Sequence, residues 1–233
     1  MAKFKATIVI YCLFCMGFII AILGISRSVT TISENIPVDR ENCIIIDAGH
    51  GGLDGGAVSC TGKPESNYNL EISHRLNDLL NLLGYETKMI RKEDISVYTK
   101  GETIAQKKAS DLKERVNMVS QVEDGILVSI HQNNFTDSRY SGAQVFYAKT
   151  ENSKELADLM QSEFIKTLNP GSKRATKKCD GIYLMEQIHC TGVLVECGFL
   201  SNTAEEARLS DKNYQQKLCC VIASSLSRFL SNT

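Results

Sequence analysis

Short apolar runs alternate with amphipathic stretches along most of this chain. Cys43 to Asp47 is the first run, with three isoleucines in succession, the composition of a strand buried on both faces. From Glu65 to Leu83 the period changes. Ile72, Leu76, Leu79, Leu80 and Leu83 recur at helical spacing, and Gly84 follows where a helix would stop. Tyr85 to Ile90 predicts a second strand. Arg91 to Lys108 is polar without clear pattern and reads as a long surface loop. Ser110 or Asp111 would cap a helix running to about Val122, with Glu114 completing a capping box if Asp111 is not the cap. Ile126 to Ile130 predicts a third strand, ending in His131, and Gly142 to Ala148 a fourth. Glu151 to Leu168 follows as a helix stopped by Asn169-Pro170-Gly171, then short strands at Ile182 to Met185 and Val193 to Val195. Helical turns at Ala204 to Leu209 and a helix at Tyr214 to Leu230 close the chain.

This rhythm predicts an α/β fold: a single domain with a mostly parallel, twisted sheet of about six strands, covered by helices on both faces. One element stands apart. Ala6 to Ile25 has no charged side chain, and twenty helical residues span about 30 Å, the thickness of a bilayer core. Lys3 and Lys5 precede it, which keeps the N-terminus in the cytoplasm and places the rest outside. An uncleaved transmembrane anchor is favoured over a cleaved signal peptide. The run exceeds the usual ~7–15 residues, and Gly24-Ile25-Ser26 is a poor cleavage site. The expected organisation is therefore 1–25 cytoplasmic start and anchor, 26–41 linker, and 42–233 the folded domain on the extracytoplasmic side.

Composition changes this picture little. The 233 residues suffice for one substantial domain, at 43% hydrophobic and 23% charged. Without Lys3 and Lys5 the net charge moves from −1 to −3, so the exported part has no basic excess for a nucleic-acid partner. Of nine cysteines, Cys12 and Cys15 form a C-x-x-C inside the apolar run. The other seven show no paired metal spacing and are odd in number, which favours free thiols over a disulfide framework.

The chain has four histidines, and His50 and His131 each follow directly on an apolar strand run. Parallel strands bring their carboxyl ends to one edge, where open α/β sheets bind ligands. Glu65, at the start of the first helix, and Glu196, directly after Val193 to Val195, reach the same ground. Two imidazoles and a carboxylate suit Zn²⁺, and the second carboxylate can move a proton. Each residue also has a plainer role. A histidine after a strand can be a loop residue, and Glu65 can simply answer the helix dipole. A carboxylate beside a buried strand, as at Glu196, needs a cation or donors. His74 should face solvent, and His189 falls in a loop without a role. The glycines around His50 do not make a phosphate loop, because G-x-x-x-x-G-K-[ST] is absent and the dinucleotide fingerprint lacks its third glycine. Ser129 lacks the surroundings of a hydrolase nucleophile.

Four blocks carry a family resemblance. Asp47-Ala48-Gly49-His50-Gly51-Gly52, Glu65-x-x-x-Asn69-Leu70, Ser129-Ile130-His131-x-Asn133 and Val195-Glu196-x-Gly198-Phe199-Leu200-Ser201-Asn202 resemble the zinc-dependent N-acetylmuramoyl-L-alanine amidases of the Amidase_3 family. Asn169-Pro170, Lys173-Arg174 and Gly181-Ile182-Tyr183-Leu184 are similar to its CwlD-type spore-cortex, germination-specific members. The resemblance implies one zinc held by His50, Glu65 and His131, with Glu196 as catalytic acid/base. The implied reaction cleaves the amide between N-acetylmuramic acid and L-alanine, in the cell wall or spore cortex, where stripped muramic acid becomes muramic-δ-lactam. Implied partners are peptidoglycan glycan strands and stem peptides, the membrane through the N-terminal helix, and an activating protein of unknown identity.

Departures from the family pattern are Cys197, where Thr is usual, read as a packing change, and Gln132, where a small residue is common, which bears on local substrate fit. One helix fills the interval where some relatives carry an inhibitory insert. The rival readings are a non-catalytic wall-binding or scaffold module on the same fold, and a zinc peptidase cutting within the stem peptide. A three-ligand site on a glycine-flanked loop also allows weak metal affinity in isolation.

Overall fold

The computed structural model describes residues 42–232, which fall within one compact unit. The isoleucine run forms β1 (Ile44–Ala48), buried at every position. It pairs in parallel with β2 (Thr87–Met89) on one side and β3 (Ile126–Asn133) on the other. β3 continues in parallel to β6 (Thr191–Phe199). β4 (Gln144–Tyr147) runs antiparallel to β6, and β5 (Lys177–Lys178) lies parallel to β4. The sheet order is β2-β1-β3-β6-β4-β5, so the four inner and leading strands share a direction and one edge pair opposes it.

Alternation along the strands divides the core between two faces. Ile44, Ile46, Val128, Ile130, Val193 and Val195 pack on one face under α1 (Glu65–Leu82), α3 (Ser153–Thr167) and α6 (Lys212–Leu230). Ile45, Leu127 and Leu194 pack on the other against Val119 of α2 (Ile104–Ser120) and Leu184 and Met185 of α4 (Tyr183–Gln187). α5 (Thr203–Ser210) leads into α6 through Asp211, whose carboxylate accepts from Asn213 N. Helices therefore cover both faces of a mostly parallel sheet, as the sequence predicts.

Three expectations are corrected. The segment from Arg91 to Lys108 is not a surface loop throughout, because α2 begins at Ile104. Thr103 is its cap. Its hydroxyl accepts from Gln106 N (3.2 Å) and Gln106 Oε1 accepts from Thr103 N (3.1 Å), a capping box seven residues ahead of the predicted one. Ser110 and Asp111 lie inside the helix. There Asp111 Oδ1 accepts from Val97 N (2.6 Å) and Ser110 Oγ from Thr99 N (3.3 Å), tying the preceding segment to the domain. Arg91 itself is buried. Second, Ile182 to Met185 is not a strand but leads into α4; a short apolar run fits either element on periodicity alone. The strand in this region is β5, two exposed lysines at the sheet edge, where charge blunts further pairing. Third, β3 and β6 run past their apolar stretches, so His131 and Glu196 lie within strands and not after them.

The seven described cysteines are free. Among the described residues no helix is long and apolar enough to cross a membrane; the expected anchor Ala6 to Ile25 lies outside them, as do Cys12, Cys15 and the linker before Asn42.

Candidate metal centre

β1 delivers the chain to the carboxyl edge of the sheet, and the turn beyond it is held by buried cations. Ala48 O accepts from Arg91 Nε (2.8 Å) and Arg115 Nη1 (3.1 Å). Gly49 O accepts from Arg91 Nη2 (3.0 Å) and Asn69 Nδ2 (3.1 Å), and His50 O from Arg115 Nη2 (2.7 Å). Three consecutive carbonyls thus have charged donors, which hold more strongly than neutral ones. They need to, because His50 sits at φ 60, a left-handed conformation that costs a non-glycine residue about 1–2 kcal/mol. Arg115 is balanced by Asp47, the last acid of the β1 run, which also accepts from Ser129 Oγ (2.6 Å), and by Asp111 (2.6 Å). Burial opposes ionisation of Asp47, but the Arg115 guanidinium and the Ser129 hydroxyl hold its carboxyl below the usual range.

His50 Nδ1 lies 3.0 Å from Asp54 Oδ2, and Nε2 lies 3.3 Å from Glu65 Oε2. Lys108 Nζ reaches the same Asp54 oxygen at 3.1 Å. Glu65, the first residue of α1, is buried with both oxygens engaged. Oε2 accepts from Ala57 N (3.0 Å), and Oε1 from Asn69 Nδ2 and Gln132 N (both 3.1 Å). His131 Nδ1 stands 3.0 Å from Oε1. Burial would raise the Glu65 pKa, yet His131 and His50 hold the carboxyl well below its usual value. Burial likewise lowers His50, but Glu65 and Asp54 hold the imidazole above its usual pKa. A positive charge is favoured at this point.

Two glycines make the convergence sterically possible. A Cβ on Gly49 would lie 2.2 Å from His131 Nε2, and one on Gly56 would lie 2.6 Å from Glu65 Oε2 and 2.7 Å from His50 Cδ2. The imidazole rings then sit 5.0 Å apart at 75°. Among the described residues, His50, Glu65 and His131 are the group whose ligand atoms, all within 4.8 Å of one another, suit a metal ion. Two nitrogens and a carboxylate oxygen are a donor set that fits zinc, with an open position left over.

Glu196 stands opposite His131 in the β3–β6 register and lines the same cleft of about 380 Å³. Its Oε2 is buried without a hydrogen-bond partner. Burial pushes its carboxyl up to about 7, with His131 opposing and Glu65 adding to the rise. The far wall of the cleft is the turn and helix at Gly181 to Met185, where Ile182 and Tyr183 are partly exposed. All four expected residues are brought together. His74 is elsewhere, on the outer side of α1 with Nε2 2.9 Å from Lys92 O, and His189 is exposed and outside this cleft.

Cys197 is buried, its Sγ 3.8 Å from Val195 O, and burial holds the thiol well above its usual pKa, so it packs and does not react. Gln132 is buried too, with Nε2 donating to Asn69 Oδ1 (3.2 Å). Its backbone N and side chain thus brace Glu65 and Asn69. Sequence reasoning missed Asp47, Asp54, Arg91 and Arg115. The only available signals were an acid closing the β1 run and an acid four residues after His50.

Residues 44–228 match the family described as N-acetylmuramoyl-L-alanine amidase, Amidase_3. The chain is 36% identical over 191 residues to the germination-specific N-acetylmuramoyl-L-alanine amidase of Bacillus subtilis (strain 168), a match covering 81% of this chain and 79% of that protein. It is similar to the CwlD amidase from Clostridioides difficile, solved in complex with the GerS lipoprotein, at 37% identity and a TM-score of 0.79 over 82% of this chain and 99% of that one. An N-acetylmuramoyl-L-alanine amidase from Clostridium difficile 630 aligns at 26% identity and a TM-score of 0.70, over 82% and 98% of the two chains.

Proposed function

The chain belongs to the N-acetylmuramoyl-L-alanine amidase family, and from that premise we propose a zinc-dependent peptidoglycan hydrolase with His50, Glu65 and His131 as metal ligands and Glu196 as acid/base. It cleaves the amide between the lactyl group of N-acetylmuramic acid and the L-alanine of the stem peptide. The observation that carries the residue roles is the buried, unpartnered Glu196 Oε2 beside three converging metal ligands. Zinc bound there would supply Lewis-acid polarisation of the scissile carbonyl and activation of water at neutral pH.

The remaining chemistry belongs to the chain. Asp54, accepting from His50 Nδ1, fixes the tautomer that leaves Nε2 free to ligate. The donors to Glu65 from Ala57, Asn69 and Gln132 hold its carboxylate ionised and oriented. Glu196 takes a proton from the attacking water and returns it to the departing alanine nitrogen, which leaves poorly unless protonated. Burial raises this carboxyl in the metal-free site, which favours its holding a proton between the two halves of that transfer.

A wall-binding module on this fold has no use for a half-desolvated carboxylate, which weakens that rival. Similarity to the germination-specific amidase supports action in spore cortex maturation, on the path to muramic-δ-lactam. The same reading takes residues 1–25 as a membrane anchor, 26–41 as a linker and 42–233 as the catalytic domain outside the cytoplasm. It includes an activating protein partner, in keeping with the C. difficile amidase solved with a lipoprotein.

The test is metal content against activity. Replacing His131 by Ala should remove bound zinc and activity together. Glu196→Gln should retain zinc and lose activity by about 10²–10⁴-fold. A Glu196→Gln protein cleaving at near wild-type rate would remove its role, and unchanged zinc in His131→Ala would remove that ligand.

A further inference from the structure

A second cleft opens at the same edge of the sheet, on the far side of β6 from the metal ligands. β4 begins there and β6 ends there, since the two run antiparallel with Gln144 opposite Glu196. The cleft measures about 670 Å³ and is lined by Arg139, Lys173, Arg174 and Arg208 around Tyr140 and Asn169. Two of its four cations are committed to acids within the chain. Arg139 pairs with Asp137 (2.7 Å) and Arg208 with Glu205 (2.7 Å). Glu205 is itself buried and also accepts from Gly142 N and Phe199 N.

Arg174 and Lys173 differ. Arg174 donates only to neutral acceptors, Ser141 O and Gln144 Oε1 (both 2.8 Å). Its guanidinium lies 4.6 Å from the ring centre of Phe199 and 6.0 Å from that of Tyr140. Lys173 is exposed, and among the described residues neither cation forms an ion pair. A guanidinium fixed on an aromatic face, with its remaining N–H groups unassigned to any acid, is preorganised for a planar anion. Burial holds Arg174 below the usual guanidinium pKa, against the pull of Glu205.

The distance to the chemistry selects the anion. Gln144 faces Glu196 across one antiparallel pair, about 5 Å away, and Arg174 hydrogen-bonds to the Gln144 side chain. Arg174 is then roughly 10 Å from the acid/base, the length of two to three extended residues. A stem peptide cut at its first alanine carries its acidic residues at that distance.

Resting on the amidase reading, we propose that Arg174 and Lys173 form the subsite for a stem-peptide carboxylate, so that the enzyme recognises the peptide as well as the sugar-linked amide. The test uses zinc-loaded full-length protein in detergent and titration calorimetry with free stem tripeptide, its carboxyl-amidated form, and inorganic phosphate. Wild type should bind the free-carboxylate peptide about tenfold tighter than the amidated one. Arg174→Gln and Lys173→Gln should each lose most of that preference and bind amidated peptide as wild type does. Lys173, being exposed, serves if Arg174→Gln fails to fold. No wild-type preference, equal weakening toward both peptides, or phosphate competing at the peptide's own affinity would overturn the subsite. Binding is read without turnover. Carboxylate-dependent binding by a protein that leaves the muramoyl–alanine amide intact would therefore support the subsite while refuting the amidase reading.

Discussion

Glu196 sits in an environment that raises its carboxyl, the opposite of what a paired surface carboxylate meets. Its usual value of 4.5 is raised to about 7, chiefly by burial. A carboxyl raised in the native state favours the protonated form there, so its stabilising effect is complete below 4.5 and is lost as pH climbs through 7. Metal-free wild type should accordingly lose stability relative to metal-free Glu196→Gln between pH 4 and pH 8, by about 3 kcal/mol. Thermal or urea melts of the two proteins at both pH values check this, and an unchanged difference would place Glu196 in ordinary solvent. Asp54 acts one step further out, on His50 Nδ1. Asp54→Asn should weaken zinc binding by about 10–100-fold with a near-wild-type fold, as for other acids that orient a ligating imidazole. Competition against a zinc-chelating dye reads the affinity. No change would mean that the turn alone sets the tautomer.

At the level of elements, the strand-to-helix turn after β1 is held from beneath by Arg91 and Arg115, whose charge Asp47 answers. Removing one member of a buried pair leaves the other charge uncompensated. Asp47→Asn should therefore destabilise the fold by about 3–5 kcal/mol, visible as a lower urea midpoint at unchanged slope. A shift below 1 kcal/mol would show that Asp111, with the carbonyls of Ala48 and His50, suffices for Arg115. This turn also explains what could be read in advance. β1, β3 and β6 were legible because isoleucine and valine runs announce buried parallel strands, and α1 because its leucines recur at helical spacing. The candidate ligands His50, Glu65 and His131 are legible because each adjoins one of those apolar runs or begins the helix. α2 was misplaced because its buried residues are Ser110, Arg115 and Val119, so the inward face carries polar groups and no apolar period marks it. Arg91 reads as surface polarity in a sequence. Only the fold reveals that three carbonyls converge on it and on its neighbour. β5 is two lysines, and α4 is too short for periodicity to separate it from a strand.

For the whole molecule, the doubly covered sheet brings the candidate metal ligands, Glu196 and a basic cleft to one edge, with β6 between the ligands and the cleft. The turn after β1, the start of α1 and strand β3 supply the proposed ligands, while the reversed strand β4 sets Gln144 opposite Glu196 and Arg174 donates to the Gln144 side chain. Purified peptidoglycan digested with the zinc-loaded protein and resolved by mass spectrometry should release intact stem peptides beginning at L-alanine and leave muramic acid residues without peptide. Fragments shortened within the stem, with muramic acid still joined to alanine, would contradict the account.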